Sequence, residues 1–317
     1  MEITEEIRKR LEHLTQKYAA MGQDLNSYLD GLLHADYLTY WDYIHLDTLL
    51  SLQTPRTSFP DEQIFIIYHQ ITELYFKLCL HELEQVAAAE PDVSQITKRI
   101  MRINRYFGNL TQSFEVMVEG MERDQFLKFR MSLLPASGFQ SAQYRMVEIF
   151  ATDFIRLIDK DHRQRFSDNT DATLEEQFEF IYWKAGATEL ASGKKTLTLD
   201  QFEKKYSKIL IELAEKNKTR NLFYLYRTLE NAGADVSALR TALRKLDVLV
   251  NVNWPLAHYK SAVRYLQRDP EDIKATGGTN WQKYLPPRFQ KRIFYQELWS
   301  VEELENWGKS WVEETFS

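Results

Sequence analysis

The chain has 317 residues with only 11 Gly and 8 Pro, and aromatic residues make up 13 % of it. So few chain breakers, beside many good helix formers, predict a mostly helical protein. A net charge of −6 without a dense Lys/Arg block argues against nucleic acid or an anionic membrane as partner, and the single cysteine, Cys79, excludes an internal disulfide.

Residues 1–30 predict one or two charged amphipathic helices. Their acidic start is unlike a signal peptide, and no uncharged run is long enough to span a bilayer, so a cytoplasmic protein is expected. An aromatic stretch over residues 37–46, with Tyr40, Trp41 and Tyr43, leads into a short helix. A proline-bearing connection over 54–60 follows, and Asp61 is placed to cap the next helix.

That helix is expected over 61–89, with Ile64, Ile67, Ile71, Leu74 and Leu78 facing the core at 3–4 spacing. Phe65, His69, Thr72 and Phe76 form a second stripe rotated by about 100°. Two further helices are expected over 92–152, broken at Leu134-Pro135-Ala136-Ser137-Gly138. Residues 153–200 look irregular and polar, and helical period returns at Phe202, Tyr206, Ile209, Leu210 and Leu213. From Ser237 a helical run reaches Asn253-Trp254-Pro255, where the proline is expected to kink it or to start a fresh helix capped by Asn253. His258, Ala262 and Tyr265 share one face beyond it, and Thr276-Gly277-Gly278 makes a turn. No repeat or domain linker divides the chain, which reads as a single domain over 1–317.

Taken alone, His69 and His258 read as core histidines, since they lack the spacing of a metal motif. Arg130 has Phe126, Phe129 and Leu133 at helical spacing, so its stem is partly covered and its guanidinium requires an anion. No phosphate loop, dinucleotide fingerprint or nucleophile elbow is present in the sequence.

The joint pattern is more specific. Phe65-Ile66-Ile67-Tyr68-His69-Gln70-Ile71-Thr72-Glu73-Leu74-Tyr75-Phe76-Lys77-Leu78 closely resembles the distal-histidine helix of the tryptophan 2,3-dioxygenase family. Phe129-Arg130, followed by Pro135-Ala136-Ser137-Gly138-Phe139-Gln140-Ser141-Ala142-Gln143-Tyr144-Arg145, is similar to that family's second signature. Tyr40-Trp41-Asp42-Tyr43-Ile44-His45-Leu46-Asp47 resembles its Tyr-x-x-Tyr segment, and His258 and Thr276-Gly277-Gly278 fall where its proximal ligand and ammonium-binding loop belong.

The resemblance implies an all-α helical bundle enclosing a haem pocket, like the tryptophan and indoleamine dioxygenases. It implies haem b as cofactor and L-tryptophan, or a close indole amino acid, with O2 as substrates; both oxygen atoms add across the indole C2–C3 bond to give N-formylkynurenine. His258 is then the axial ligand to the haem iron, with Ser137 near the haem edge. His69 is the catalytic residue beside the indole N–H. Phe65, Phe126 and Leu133 line the substrate, Arg130 clamps its carboxylate, and Thr276 helps to hold its ammonium. The family is a homotetramer, so residues 1–60 are expected to swap onto a neighbouring subunit and bring Tyr40 and Tyr43 to its pocket.

Three positions depart from the family pattern. Phe126 stands where some members have tyrosine, Trp254-Pro255-Leu256-Ala257 replaces Trp-Arg-aromatic before the histidine, and Trp281 follows the Gly-Gly turn. They leave two alternatives open, a haem monooxygenase acting on a tryptophan derivative and a non-catalytic haem or indole sensor.

Overall fold

The computed structural model describes residues 3–35, 38–133, 138–167, 171–187, 194–267 and 285–309. The described residues form helices and no strand, with an isolated bridge between Ile158 and Ile181. The chain forms two compact units, residues 1–54 and 55–317.

The first unit carries α1 (Glu5–Ala20), α2 (Leu25–Leu33), α3 (Tyr40–Tyr43) and α4 (Leu46–Leu50). Thr4, Asp24 and Thr39 cap the first three by accepting from backbone N–H groups three residues on. None of the four buries a residue, and Leu32, Leu33, Tyr40 and Tyr43 are well exposed.

The second unit is built on α5 (Asp61–Ala88) and α6 (Val93–Ser113). Asp92 caps α6, whose Ile96, Ile100, Ile103, Phe107 and Leu110 repeat at 3–4 spacing and are buried. The α5 face they meet is not the expected one. Tyr68, Thr72, Phe76, Cys79, Leu83 and Val86 are buried, whereas Ile67, Ile71, Leu74 and Leu78 are 39–49 % exposed. The polar atoms on the buried face have partners: Tyr68 donates to the carbonyl of Leu110, Thr72 donates to that of Tyr68, and Glu82 accepts from Arg99 and Arg102. Asp61 does not cap α5 either. Its carboxylate accepts from the backbone N–H of Glu122, while Glu62 takes the N–H groups of Arg56 and Thr57.

Short helices α7 (Glu115–Val118) and α8 (Arg123–Phe129) follow, and a 3₁₀ turn over Arg130–Leu133 extends the latter. Helix α9 (Ala142–Ala151), capped by Ser141, is tied to α5 where Gln143 donates to the carbonyl of Glu73. The stretch expected to be irregular instead forms α10 (Lys160–Ser167), α11 (Leu174–Phe178) and α12 (Tyr182–Gly186). Leu157, Ile158, Phe166, Phe178, Ile181 and Trp183 bury there without a regular period. Helices α13 (Leu197–Lys216), α14 (Leu222–Asn231) and α15 (Ser237–Val248) complete the wall.

Between α15 and α16 (Trp254–Leu266) the chain passes through a π-helical turn over Leu249–Asn253. Pro255 falls in the first turn of α16, as expected, but Asn253 makes no side-chain cap. The wider turn gives the ring of Pro255 room where the run passes into α16. Tyr265 anchors the far end of α16, its hydroxyl 3.1 Å from the carbonyls of Val118 and Met121.

Candidate active site

Helix α5 presents Phe65 and His69 one turn apart, with ring centroids 4.1 Å apart. The Phe65 ring also meets Phe129 edge-on at 5.8 Å and lies 6.4 Å from Phe126, both on α8. Phe126 in turn lies 4.7 Å from Tyr265 of α16. On the other side, His258 of α16 lies 4.5 Å from Phe114, and Phe114 meets Tyr68 of α5 edge-on at 5.6 Å. His69 therefore stands in one aromatic cluster, with Phe65, Phe126, Phe129 and Tyr265, and His258 in a second, with Phe114, Tyr68 and Trp254; α5 and α16 contribute to both. Burial lowers the His258 imidazole most, and His69 is near enough to add a smaller push in the same direction.

Both rings have a defined tautomer. The Nδ1 of His69 is 2.7 Å from the carbonyl of Phe65, and the Nδ1 of His258 is 2.9 Å from that of Trp254. A carbonyl only accepts, so each Nδ1 carries the proton and donates it. Nε2 is then a bare lone pair in the neutral ring. Burial pushes the His258 imidazole down to about 4, outweighing the Trp254 carbonyl that pulls the other way. Burial likewise lowers His69 against the opposing pull of the Phe65 carbonyl and the charge of Glu73. Both shifts favour the neutral ring at pH 7.

Arg130 follows Phe129 directly, at the junction of α8 and its 3₁₀ extension, and is buried. Burial lowers the pKa of its guanidinium, the direction expected of a cation taken out of water. Leu133 is half-buried on the same extension and packs on the main core. Phe65, His69, Phe126 and His258 thus come together, with Arg130 and Leu133 on the element that carries Phe126. Tyr40 and Tyr43 belong to the first unit, while Ser137 and Thr276, like Trp281, lie outside the described residues.

Sequence reasoning missed Phe114 as a packing partner of His258, and the Trp254 carbonyl as the fixing partner of its Nδ1. The i−4 aromatic before each histidine was the available signal. Among the described residues no group of three or more His, Cys, Asp or Glu could hold a bare metal ion. The donor set at His258 is one neutral nitrogen, which suits a metal that brings its other ligands with it.

Fold and site together define an all-helical protein with two imidazoles, each fixed by a backbone carbonyl and each set among aromatic rings. Residues 30–216 match the family model described as tryptophan 2,3-dioxygenase, so the chain belongs to the tryptophan 2,3-dioxygenase family. A protein of Ruegeria sp. (strain TM1040) named tryptophan 2,3-dioxygenase is 40 % identical over 116 residues, 36 % of this chain and 41 % of that protein. One of Bradyrhizobium diazoefficiens with the same name is 39 % identical over 113 residues, 35 % of this chain and 40 % of its own. These alignments span about two fifths of the relatives' length. A third, from Bacillus thuringiensis subsp. konkukian (strain 97-27), is 26 % identical over 284 residues, 85 % of this chain and 94 % of its own. The family match ends before His258, whereas the Bacillus alignment is long enough to span it.

Proposed function

We propose that this protein is a haem-dependent dioxygenase that opens the indole ring of L-tryptophan with O2. One oxygen atom goes to indole C2 and the other to C3 as the bond between them breaks, giving N-formylkynurenine. The observation that carries the reading is the pair of neutral imidazoles, each with Nδ1 committed to a backbone carbonyl and Nε2 left bare.

His258 would hold the haem iron through its bare Nε2, and the Nδ1 bond to the Trp254 carbonyl sets the ring's orientation. When bound, haem b supplies the ferrous centre at which O2 is activated. His69 offers its Nε2 as acceptor to the indole N–H, which holds the indole in register and can receive its proton. Phe65 and Phe126 pack the indole and exclude water from it. Arg130 grips the carboxylate with two parallel hydrogen bonds, helped by its removal from water. Leu133 would close the apolar side, and the family resemblance assigns the substrate ammonium to Thr276 and a part of the haem site to Ser137.

Assembly as a homotetramer in the cytoplasm belongs to the same proposal, with residues 1–60 swapped so that Tyr40 and Tyr43 reach a neighbour's pocket. It is supported by the apolar α5 stripe left exposed and by the exposed apolar residues of the first unit. No helix among the described residues is long and apolar enough to cross a membrane. To test the activity, reduced haem-loaded protein is mixed with L-tryptophan and ¹⁸O2 and the product is weighed. Two labelled atoms per product are expected. One labelled atom indicates a monooxygenase, and tight tryptophan binding without product indicates a sensor; either outcome ends the proposal.

A further inference from the structure

The π turn before His258 leaves a specific backbone problem. Trp254 directs its N–H to the carbonyl of Leu249, five residues back. The next donor in that register belongs to position 255, and Pro255 has no N–H to give to the carbonyl of Val250. Val250 is fully buried, so water cannot serve that carbonyl. Two side chains reach it instead. The Tyr144 hydroxyl of α9 lies 3.3 Å away, and a terminal nitrogen of Arg292 lies 3.4 Å away. Arg292 also donates to the Tyr144 hydroxyl at 2.8 Å, so the two donors are fixed to each other.

The pair is in turn held by a charge-balanced buried cluster. Glu148 lies 2.9 Å from Arg292 and 3.0 Å from Arg145, and Tyr182 donates to it. Arg292 donates through Nε to Asn251, inside the π turn, and Asn251 donates to Asp247 at 2.6 Å. Asp247 also accepts from the backbone of Phe294 and Tyr295, which fixes the segment bearing Arg292 against α15. Every contact converges on the turn whose end, Trp254, supplies the carbonyl for His258 Nδ1.

We infer that Tyr144 and Arg292 are positioning residues for His258: they cover the Val250 carbonyl that Pro255 leaves without a backbone donor, fix the π turn, and so set where the Trp254 carbonyl meets the imidazole. Its functional meaning rests on His258 as axial ligand, but the coupling is a property of the haem-free chain. Pro255 and Tyr144 should then be interdependent, because Pro255→Ala restores an N–H and weakens the need for the hydroxyl.

The test is backbone hydrogen–deuterium exchange across 249–258 in haem-free protein, for wild type, Tyr144→Phe, Pro255→Ala and the double variant. Tyr144→Phe keeps the ring 5.4 Å from Phe76 and loses only the hydroxyl. In Tyr144→Phe we expect exchange of the amides at 252–254 and 256–258 to rise at least tenfold over wild type, with those of α6 unchanged, and to rise less than threefold when Tyr144→Phe is added to Pro255→Ala. The haem-loaded Tyr144→Phe should show a shifted iron–imidazole stretching band. Unchanged exchange, uniform acceleration through α6 and α15, or the same increment in both backgrounds overturns the inference. If Tyr144→Phe does not accumulate, Arg292→Lys carries the same test, since lysine keeps the charge toward Glu148 and loses the fork. A His258→Ala protein that keeps its axial imidazole would overturn the ligand reading while leaving the exchange result to stand or fall alone.

Discussion

His69 and His258 hold one posture on two different helices: each lies one turn after an aromatic residue, packs on that residue's ring, and donates Nδ1–H to its carbonyl. Phe65 serves the first and Trp254 the second. The consequence is two neutral rings with their Nε2 atoms free of protons, one suited to a metal and the other to a donor on a ligand.

That posture predicts a pH dependence of stability in the haem-free protein. The folded state holds His258 near 4 against an ordinary value of 6.5, so protonation is favoured in the unfolded chain. A depressed histidine contributes stability that is complete above pH 6.5 and is lost as pH falls toward 4. The span amounts to about 3 kcal/mol. Denaturant titration at pH 7.5 and 4.5 should show wild type losing stability more steeply than His258→Gln. Equal losses would show that the ring is not held neutral.

Arg130→Ala should cost about 2–4 kcal/mol of transition-state binding, roughly 30- to 800-fold in kcat/KM, with haem content unchanged. Arg130→Lys should recover little of it, because an ammonium cannot present two parallel donors. Unaltered kinetics in the alanine variant would remove Arg130 from the carboxylate.

Ile71→Lys with Leu74→Lys should break the assembly. The stripe they belong to is exposed on α5, so charge there costs a lone chain little and an interface much. Light scattering should report a shift from the tetramer toward a single chain, with helical circular dichroism retained. An unchanged mass would place the interface elsewhere.

Glu82→Gln should destabilise the fold by about 1–2 kcal/mol at pH 7, less than a fully buried pair because Arg99 and Arg102 reach solvent. Burial alone raises the Glu82 carboxyl, but hydrogen bonds from Arg102 and Arg99 outweigh it and hold it below its usual 4.5. Its contribution is therefore present above pH 4.5 and lost as pH falls further. The gap between variant and wild type should close in acid. A constant gap would assign the loss to packing.

Much of this site was legible in the sequence because it is local. The extent of α5, the placing of Phe65 and His69 on one face, and the covered stem of Arg130 all follow from helical spacing. The buried side of α5 was not legible. Counting apolar residues favoured Ile67, Ile71, Leu74 and Leu78, whereas the fold buries Tyr68, Thr72 and Glu82, whose polar atoms find partners along the chain and on α6. Periodicity cannot see a partner on another helix. The π turn was hidden for the same reason: the donors that replace the N–H of Pro255 come from Tyr144 and Arg292, on elements that no local pattern connects.

The role of His258 bears the most weight, and the vibrational spectrum of the reduced, haem-loaded protein tests it most directly. In wild type and His69→Ala an iron–imidazole stretching band is predicted, and in His258→Ala it should vanish and return on adding free imidazole. A band that persists in His258→Ala, or that disappears only in His69→Ala, would contradict the account.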